Sequence, residues 1–243
     1  MKQITKLVQV VAVLLFVSLA AADPTNSTWN YDNDGSDWGT DYAKCTSKYT
    51  VESPVNFHFD WAGFVAGTNY FLHDWSDAQF SFLPASSAAT VKTYGFENWV
   101  YQMSDFSDEM AGFYGSEPLL SQQNHQIYWK IDNIRYHHPA EHQINGTTYD
   151  LEMQVFGDDF YGRHQICSGQ GAVSILFTID DTSSGSEFFS DWQSAATAGE
   201  AVTIDLNKVL PKTTGATNII YGYQGTDTMP GCGTVCWYVV ESP

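Results

Sequence analysis

The side chains with the most chemistry in them crowd between positions 133 and 154. One run reads Ile134-Arg135-Tyr136-His137-His138-Pro139-Ala140-Glu141-His142 and a second reads Tyr149-Asp150-Leu151-Glu152-Met153-Gln154. Three histidines beside a glutamate invite a metal site, since zinc takes about three or four imidazole, thiolate or carboxylate donors in a tight shell. The spacing argues against it. On an extended segment successive side chains point to opposite faces, so His138 turns away from His137 and the donors do not converge. Alternation instead puts Asn133, Arg135 and His137 on one face and Ile134, Tyr136 and His138 on the other. In the second run it separates Glu152, Gln154 and Phe156 from the apolar Leu151, Met153 and Val155. Arg135 offers only N–H donors and a permanent positive charge, which repels a cation. Gln154 offers an amide oxygen, a ligand better suited to harder ions. Glu141 and Glu152, if interior, need partners, because a buried carboxylate left alone is costly. Arg135 is the partner expected for both. His58, His73, His125 and His164 lie in unrelated segments without ligand spacing.

The elements that must position these groups are mostly strands. Short stretches rich in β-branched and aromatic residues, separated by turn signals, predict strands at Val55–Phe59, Gln79–Phe82, Thr90–Thr93, Trp99–Met103, Ile127–Ile131, Ile134–His138, Tyr149–Phe156, Ala172–Ile179, Val202–Asp205, Ile219–Tyr223 and Val235–Val240. Helical periodicity is scarce; Ser186–Ala198 and a short turn near Leu206–Leu210 are the candidates. No Pro- or Ser-rich linker divides the chain and no repeat is present, so one mainly β domain with a few small helices is expected. From pattern alone a sandwich or barrel competes equally with a mixed sheet.

The ends and the cysteines point to a compartment. Lys2 and Lys6, an apolar run from Val8 to Leu19 and Ala20-Ala21-Ala22 have the layout of a secretory signal peptide over residues 1–22, with the domain at 23–243. The apolar run is shorter than the roughly 20 residues a bilayer span needs, so membrane insertion is not expected. Cys45, Cys167, Cys232 and Cys236 are an even set in an oxidising compartment, and none belongs to a CxxC motif, so disulfides are expected with three pairings open. Asn26-Ser27-Thr28 and Asn145-Gly146-Thr147 have the form of glycosylation acceptors. Asn145-Gly146 is equally a two-residue hairpin turn, and a turn tip is exposed enough to be both. The formal charge is −18, and loss of Lys2 and Lys6 with residues 1–22 makes it −20. Such a chain repels phosphate backbones and anionic headgroups, which excludes nucleic acid and bare membrane as partners and leaves cationic surfaces, calcium or basic proteins. The acids lack the regular spacing of a calcium loop.

Several segments together carry a family resemblance. The two chemical runs resemble the zinc-bearing strands of the α-class carbonic anhydrases, where a His-x-His pair on one strand and a third His on its neighbour hold the metal. Here that triplet reads Arg135, His137 and Gln154. Trp29-Asn30-Tyr31, Trp38 and Glu52-Ser53-Pro54-Val55-Asn56-Phe57 are similar to the family's Trp-x-Tyr opening and Gln-Ser-Pro-Ile-Asn strand. Tyr221 to Cys232 resembles its Tyr-x-Gly-Ser-Leu-Thr-Thr-Pro-Pro-Cys loop, and Trp237-Tyr238-Val239-Val240 its Trp-x-Val exit. The resemblance covers nearly the whole chain after residue 22. It implies a large, twisted, mostly antiparallel central sheet with small peripheral helices and a conical pocket, and it implies Cys45–Cys232, leaving Cys167 with Cys236.

The same resemblance implies roles for the pocket. Arg135, His137 and Gln154 converge at the metal position, with His137 the sole ligand retained. Glu141 falls on the glutamate that orients a gatekeeper threonine and Thr228 on that threonine, both vestigial without a metal-bound hydroxide. Glu152 matches the carboxylate behind the third histidine, and His142 a structural histidine. Asp227 stands for a pocket-lining leucine and Met229 for a second threonine; the proton-shuttling histidine aligns near Phe96, where none is found. The Arg135 guanidinium is expected to take the place of zinc and satisfy Glu141 and Glu152. The implied protein is an exported, non-catalytic relative that needs no cofactor and acts as a binding or structural module, its partner a protein or a small anion such as bicarbonate held through Arg135, Gln154 and Glu152. The competing expectation is a residual zinc-dependent carbonic anhydrase with a rearranged metal site.

Overall fold

Burial along one long strand explains how the chemical face is made, and the rest of the fold follows from its neighbours. The computed structural model describes residues 29, 36–46, 53–58, 71–74, 81–83, 89–97, 100–104, 112–116, 126–162, 166–179, 201–204, 206, 209 and 219–241. The proposed signal peptide, Asn26 and the candidate helix at 186–198 lie outside these residues. The strands are β1 (Asn56–Phe57), β2 (Phe71–Asp74), β3 (Ser81–Leu83), β4 (Ala89–Glu97), β5 (Val100–Ser104), β6 (Gly112–Ser116), β7 (Gln126–His137), β8 (Gln143–Ile144), β9 (Thr147–Thr148), β10 (Leu151–Asp159), β11 (Gln170–Phe177), β12 (Ala201–Ile204), β13 (Ile219–Thr226) and β14 (Thr234–Glu241). Short 3-10 turns occupy Trp38–Thr40, Ala43–Thr46 and Ile166–Gly169.

An 11-stranded sheet runs β12-β4-β5-β7-β10-β11-β14-β13-β2, with β6 beside β7 and β3 beside β6. Its described pairs are antiparallel except β11 with β14. The large, mostly antiparallel sheet is therefore as expected, and the sandwich and barrel alternatives are set aside. A separate sheet of order β1-β8-β9 begins with a parallel pair. Four strands escaped the sequence pattern: the two-residue β8 and β9, which flank the expected Asn145-Gly146 turn, and β6 and β2 of the large sheet. Gly112-Phe113-Tyr114-Gly115-Ser116 carries two glycines, and Phe71-Leu72-His73-Asp74 has no β-branched residue.

The segments read as separate strands at 127–131 and 134–138 are one strand with a bulge. Ile127, Trp129 and Ile131 are buried in the larger apolar cluster, and after the break Ile134 and Tyr136 take over that face. The phase of alternation slips because Asn133 pairs with Phe156 while Ile131 pairs with Gly157, leaving Asp132 as an extra residue. Gly157 suits this spot: a Cβ there would lie 2.8 Å from the Lys130 carbonyl oxygen. The bulge turns Asn133, Arg135 and His137 to the opposite face from Ile131, which is why the polar site and the apolar core share a strand. His138 falls just past the strand and is exposed.

Apolar clusters cover both faces of the middle strands. One gathers Trp129, Ile134, Tyr136, Met153, Val155 and Tyr238; the other gathers Phe57, Phe156, Tyr221, Tyr223, Trp237 and Val239. Leu206 and Val209 join the first, and the Val209 N–H donates to the Leu206 carbonyl at 3.2 Å, so a turn forms where one was expected. All four cysteines are paired as the resemblance implied. Cys45 bonds Cys232 across 187 positions and Cys167 bonds Cys236 across 69, closing loops worth on the order of 4–5 kcal/mol in a chain-entropy account. Among the described residues no helix is long and apolar enough to cross a membrane.

Candidate functional site

β7 and β10 lie side by side, with Arg135 paired to Gln154 and His137 to Glu152. All four side chains are buried, Glu152 and Gln154 completely. The predicted face is therefore assembled, but its groups choose other partners than expected.

Arg135 does not reach the glutamates. Its Nη1 donates to Asp227 Oδ1 at 2.6 Å and its Nε to Asn133 Oδ1 at 3.1 Å, while the guanidinium lies 3.9 Å over the Phe156 ring. The reason is where the anions sit. Asp227 follows β13 in a loop closed by its own N–H to the Gly233 carbonyl, and its Oδ1 also accepts the Met229 N–H at 3.0 Å, so a carboxylate is held at the guanidinium tip. Asn133 is turned the right way round because its amide nitrogen donates to Asp132 Oδ2 at 2.8 Å, leaving its oxygen for Arg135. The expectation that Arg135 would neutralise Glu141 and Glu152 is corrected accordingly. It is paired, stacked on an aromatic face and half of an ion pair with little water contact.

Glu152 is satisfied by neutral donors and imidazole. Oε1 accepts from Gln154 Nε2 at 2.9 Å and Ser174 Oγ at 2.8 Å and faces His142 Nδ1 at 2.7 Å. Oε2 accepts the backbone N–H groups of Glu141 and His142, both at 2.8 Å. Burial by itself favours the neutral acid, but the charge and hydrogen bonds of His142, with His137 nearby, outweigh it and hold the carboxyl well below the usual carboxylate range.

Gln154 knits the remaining groups together. Its Nε2 also donates to Glu141 Oε2 at 2.9 Å, and its Oε1 accepts from Thr228 Oγ1 at 3.3 Å. With both donors directed at carboxylates the amide has one sensible orientation, oxygen toward Thr228. Glu141 in turn faces His137, Oε1 to Nδ1 at 3.3 Å. Burial opposes the charged form of His137, and the Arg135 charge adds to that. The Glu141 carboxylate, its hydrogen bond and Glu152 win, raising the imidazole above its ordinary value.

His142 is fully buried. It links Glu152 to the Tyr223 hydroxyl, at 2.6 Å from Nε2, and packs edge-on to Trp237 with ring centroids 4.8 Å apart. Tyr223 passes the chain on to Ser53 Oγ at 2.8 Å, whose own N–H donates to Thr226 Oγ1 at 3.0 Å. Sequence reading gave His142 only a structural role by resemblance and missed Tyr223, Ser53, Ser174 and the Arg135–Asp227 pair. Ser174, a polar residue inside the otherwise apolar run of β11, was the available signal. Thr228 and Asp227 are placed by the loop that Cys45–Cys232 anchors.

Chemically this arrangement donates, accepts and neutralises within itself. Among the described residues no group of three or more His, Cys, Asp or Glu is arranged to hold a metal ion. Positions 135, 137 and 154 present a guanidinium without a lone pair to spare, one imidazole facing a carboxylate, and an amide oxygen already accepting a hydroxyl proton. That donor set does not fit zinc.

Residues 33–243 match the family model described as eukaryotic-type carbonic anhydrase. Alpha carbonic anhydrase 6 of Arabidopsis thaliana is 32% identical over 117 residues, 47% of this chain and 42% of that protein. Dioscorin DB3L of Dioscorea polystachya is 26% identical over 159 residues, 64% of this chain and 52% of its own length. The chain thus spans about half the length of these curated relatives. Among solved structures, an alpha-carbonic anhydrase from Thermovibrio ammonificans superimposes with a TM-score of 0.61 at 19% identity, covering 90% of this chain and 85% of that one. Dioscorin complexed with ascorbate gives 0.60 at 18% identity, covering 89% and 82%. At these identities the superpositions establish the fold.

Proposed function

Because the chain belongs to the eukaryotic-type carbonic anhydrase family, we propose that it is an exported member that has lost two of the three zinc-ligand histidines, at Arg135 and Gln154, and works as a binding or structural module without hydrating carbon dioxide. The observation that carries this reading is the engagement of those two positions by protein partners. Arg135 holds Asp227 and Asn133, and Gln154 holds Glu141, Glu152 and Thr228. A metal-activated water requires an ion that lowers its pKa to about 7; a guanidinium has no lone pair to offer one, and the Gln154 amide oxygen is a poor zinc ligand already engaged by Thr228. Glu141 and Thr228 are then remnants of a catalytic frame put to structural use.

Export is supported by the two disulfides and by the basic, apolar and small-residue order of residues 1–22. As to partner, a small anion such as bicarbonate would have to displace Asp227 from Arg135 and sit beside Glu141 and Glu152. With a net charge of −18 a basic protein surface is the better match. The deciding experiment is a zinc assay on protein secreted into zinc-supplemented medium, together with carbon dioxide hydration measured with and without a sulfonamide. Sub-stoichiometric zinc and no inhibitor-sensitive rate are expected. One zinc per chain with inhibitable hydration would reverse the reading in favour of a residual carbonic anhydrase with a rearranged site.

A further inference from the structure

We propose that Asn145 carries an N-linked glycan, attached from a lipid-linked oligosaccharide in the secretory pathway; the inference rests on the export reading above. The acceptor triplet Asn145-Gly146-Thr147 sits at the tip of the turn joining β8 to β9. The backbone is left-handed at both turn residues, φ 51° at Asn145 and 77° at Gly146, a conformation that asparagine and glycine tolerate far better than other residues. Positions 145 to 148 are all exposed, although Ile144 immediately before them is buried.

The turn is held by groups other than the ones a glycan needs. The Asn145 N–H donates to the Phe57 carbonyl at 2.6 Å and the Gly146 N–H to Asn56 Oδ1 at 2.9 Å, both on β1. Gln143 reaches Thr148 across the hairpin at 2.8 Å. Among the described residues neither the Asn145 carboxamide nor the Thr147 hydroxyl is part of that framework, so a sugar on the first and recognition of the second cost the fold no hydrogen bond. In the transfer, Asn145 Nδ2 loses a proton and bonds to the anomeric carbon of the saccharide as the lipid pyrophosphate leaves; nothing is oxidised or reduced.

An Asn-Gly pair has a rival fate. The backbone nitrogen of Gly146 can attack the Asn145 side-chain carbon, expelling ammonia and deamidating the residue. Here the Gly146 N–H is engaged by Asn56, which opposes that attack, and a glycan on Nδ2 would oppose it further. The glycan would also stand at the entrance of β9, the outer strand of the three-stranded sheet among the described residues.

The test expresses the full chain in a eukaryotic secretory cell, collects the medium, and treats the protein with peptide N-glycosidase in heavy-oxygen water before peptide mass spectrometry. Heavy-oxygen aspartate at position 145 is expected in the wild type, in Asn26→Gln and in Thr147→Ser, and its loss in Thr147→Ala. Spontaneous deamidation before treatment gives aspartate without the heavy oxygen, so it cannot imitate the result. Secreted, disulfide-bonded protein with unlabelled Asn145, or label surviving in Thr147→Ala, overturns the glycan. A chain retained in the cell with reduced cysteines overturns export first, and the glycan with it.

Discussion

Arg135 and Asp227 stand 92 positions apart and meet at 2.6 Å, a loop carboxylate laid against the tip of a strand guanidinium. The contact joins the bulged half of β7 to the loop after β13, and the Cys45–Cys232 bond ties that loop to the N-terminal 3-10 segment. Three parts of the chain remote in sequence are therefore locked around positions where the family resemblance implied a metal. The ion pair has little water contact and rests on the Phe156 ring, so each partner depends on the other to offset its desolvation.

Breaking that pair from either side should destabilise the fold. Arg135→Ala and Asp227→Ala each leave a poorly hydrated charge, and about 3 kcal/mol is expected, the lower end for a broken buried pair because both tips keep some water. Arg135→Ala should be the worse of the two, since it also strips the packing over Phe156. Replacing both by apolar residues, Arg135→Met with Asp227→Leu, should recover most of the loss. Urea denaturation of the four proteins measures this, and a wild-type midpoint for Arg135→Ala would refute the structural role.

Placing imidazoles at positions 135 and 154 should create a zinc site. Glu152 and Glu141 already accept hydrogen bonds from position 154, so a histidine there would find an acceptor for its second nitrogen, the usual arrangement behind a metal ligand. Arg135→His with Gln154→His, judged by metal content after dialysis, should hold one zinc per chain, whereas Gln154→His alone, with the guanidinium still in place, should not. A double variant that stays metal-free would mean that more than the ligands has changed.

Most of the sheet was readable because period-2 alternation and β-branched runs report burial directly. What misled was a phase slip: Ile127, Trp129, Ile131 and then Ile134, Tyr136 look like two strands because Asp132 is an extra residue within one. The face carrying Arg135, His137, Glu152 and Gln154 was legible from the same alternation. Their partners were not. Alternation ranks directions, not distances, so Glu141 and Glu152 looked as eligible for Arg135 as Asp227 did. Only the folded loop, with the Asp227 N–H on Gly233 and the Met229 N–H on Asp227, puts one carboxylate in front. His142 was undervalued for a similar reason, as its contacts to Glu152, Tyr223 and Trp237 come from β10, β13 and β14.

Because Asp227 already occupies Arg135, the wild type should be a poor receptor for small oxyanions. Calorimetry with bicarbonate at low salt should give a flat trace for the wild type and measurable heat for Asp227→Asn, which keeps the side-chain shape while removing the competing charge. Adding Arg135→Met to Asp227→Asn should abolish the signal. Heat from the wild type that disappears with Arg135→Met would show instead that anions displace Asp227 readily, and would favour the small-anion partner over the protein one.

The perturbed acid and base of the site, Glu152 and His137, predict a stability window in pH. The folded value of Glu152 lies below its ordinary 4.5, so its contribution is fully present above pH 4.5 and lost as pH falls through the lower folded value. The folded value of His137 lies above its ordinary 6.5, so its contribution is fully present below pH 6.5 and lost as pH rises through the raised folded value. Both are fully present together between pH 4.5 and 6.5. In urea titrations the stability gap between wild type and His137→Gln should be widest in that window and shrink as pH rises through the raised folded value of the imidazole. The gap for Glu152→Gln should persist at high pH and close in acid. A His137→Gln gap that stays constant as pH rises would mean that the imidazole is neutral throughout, and that packing rather than its pairing with Glu141 holds it in place.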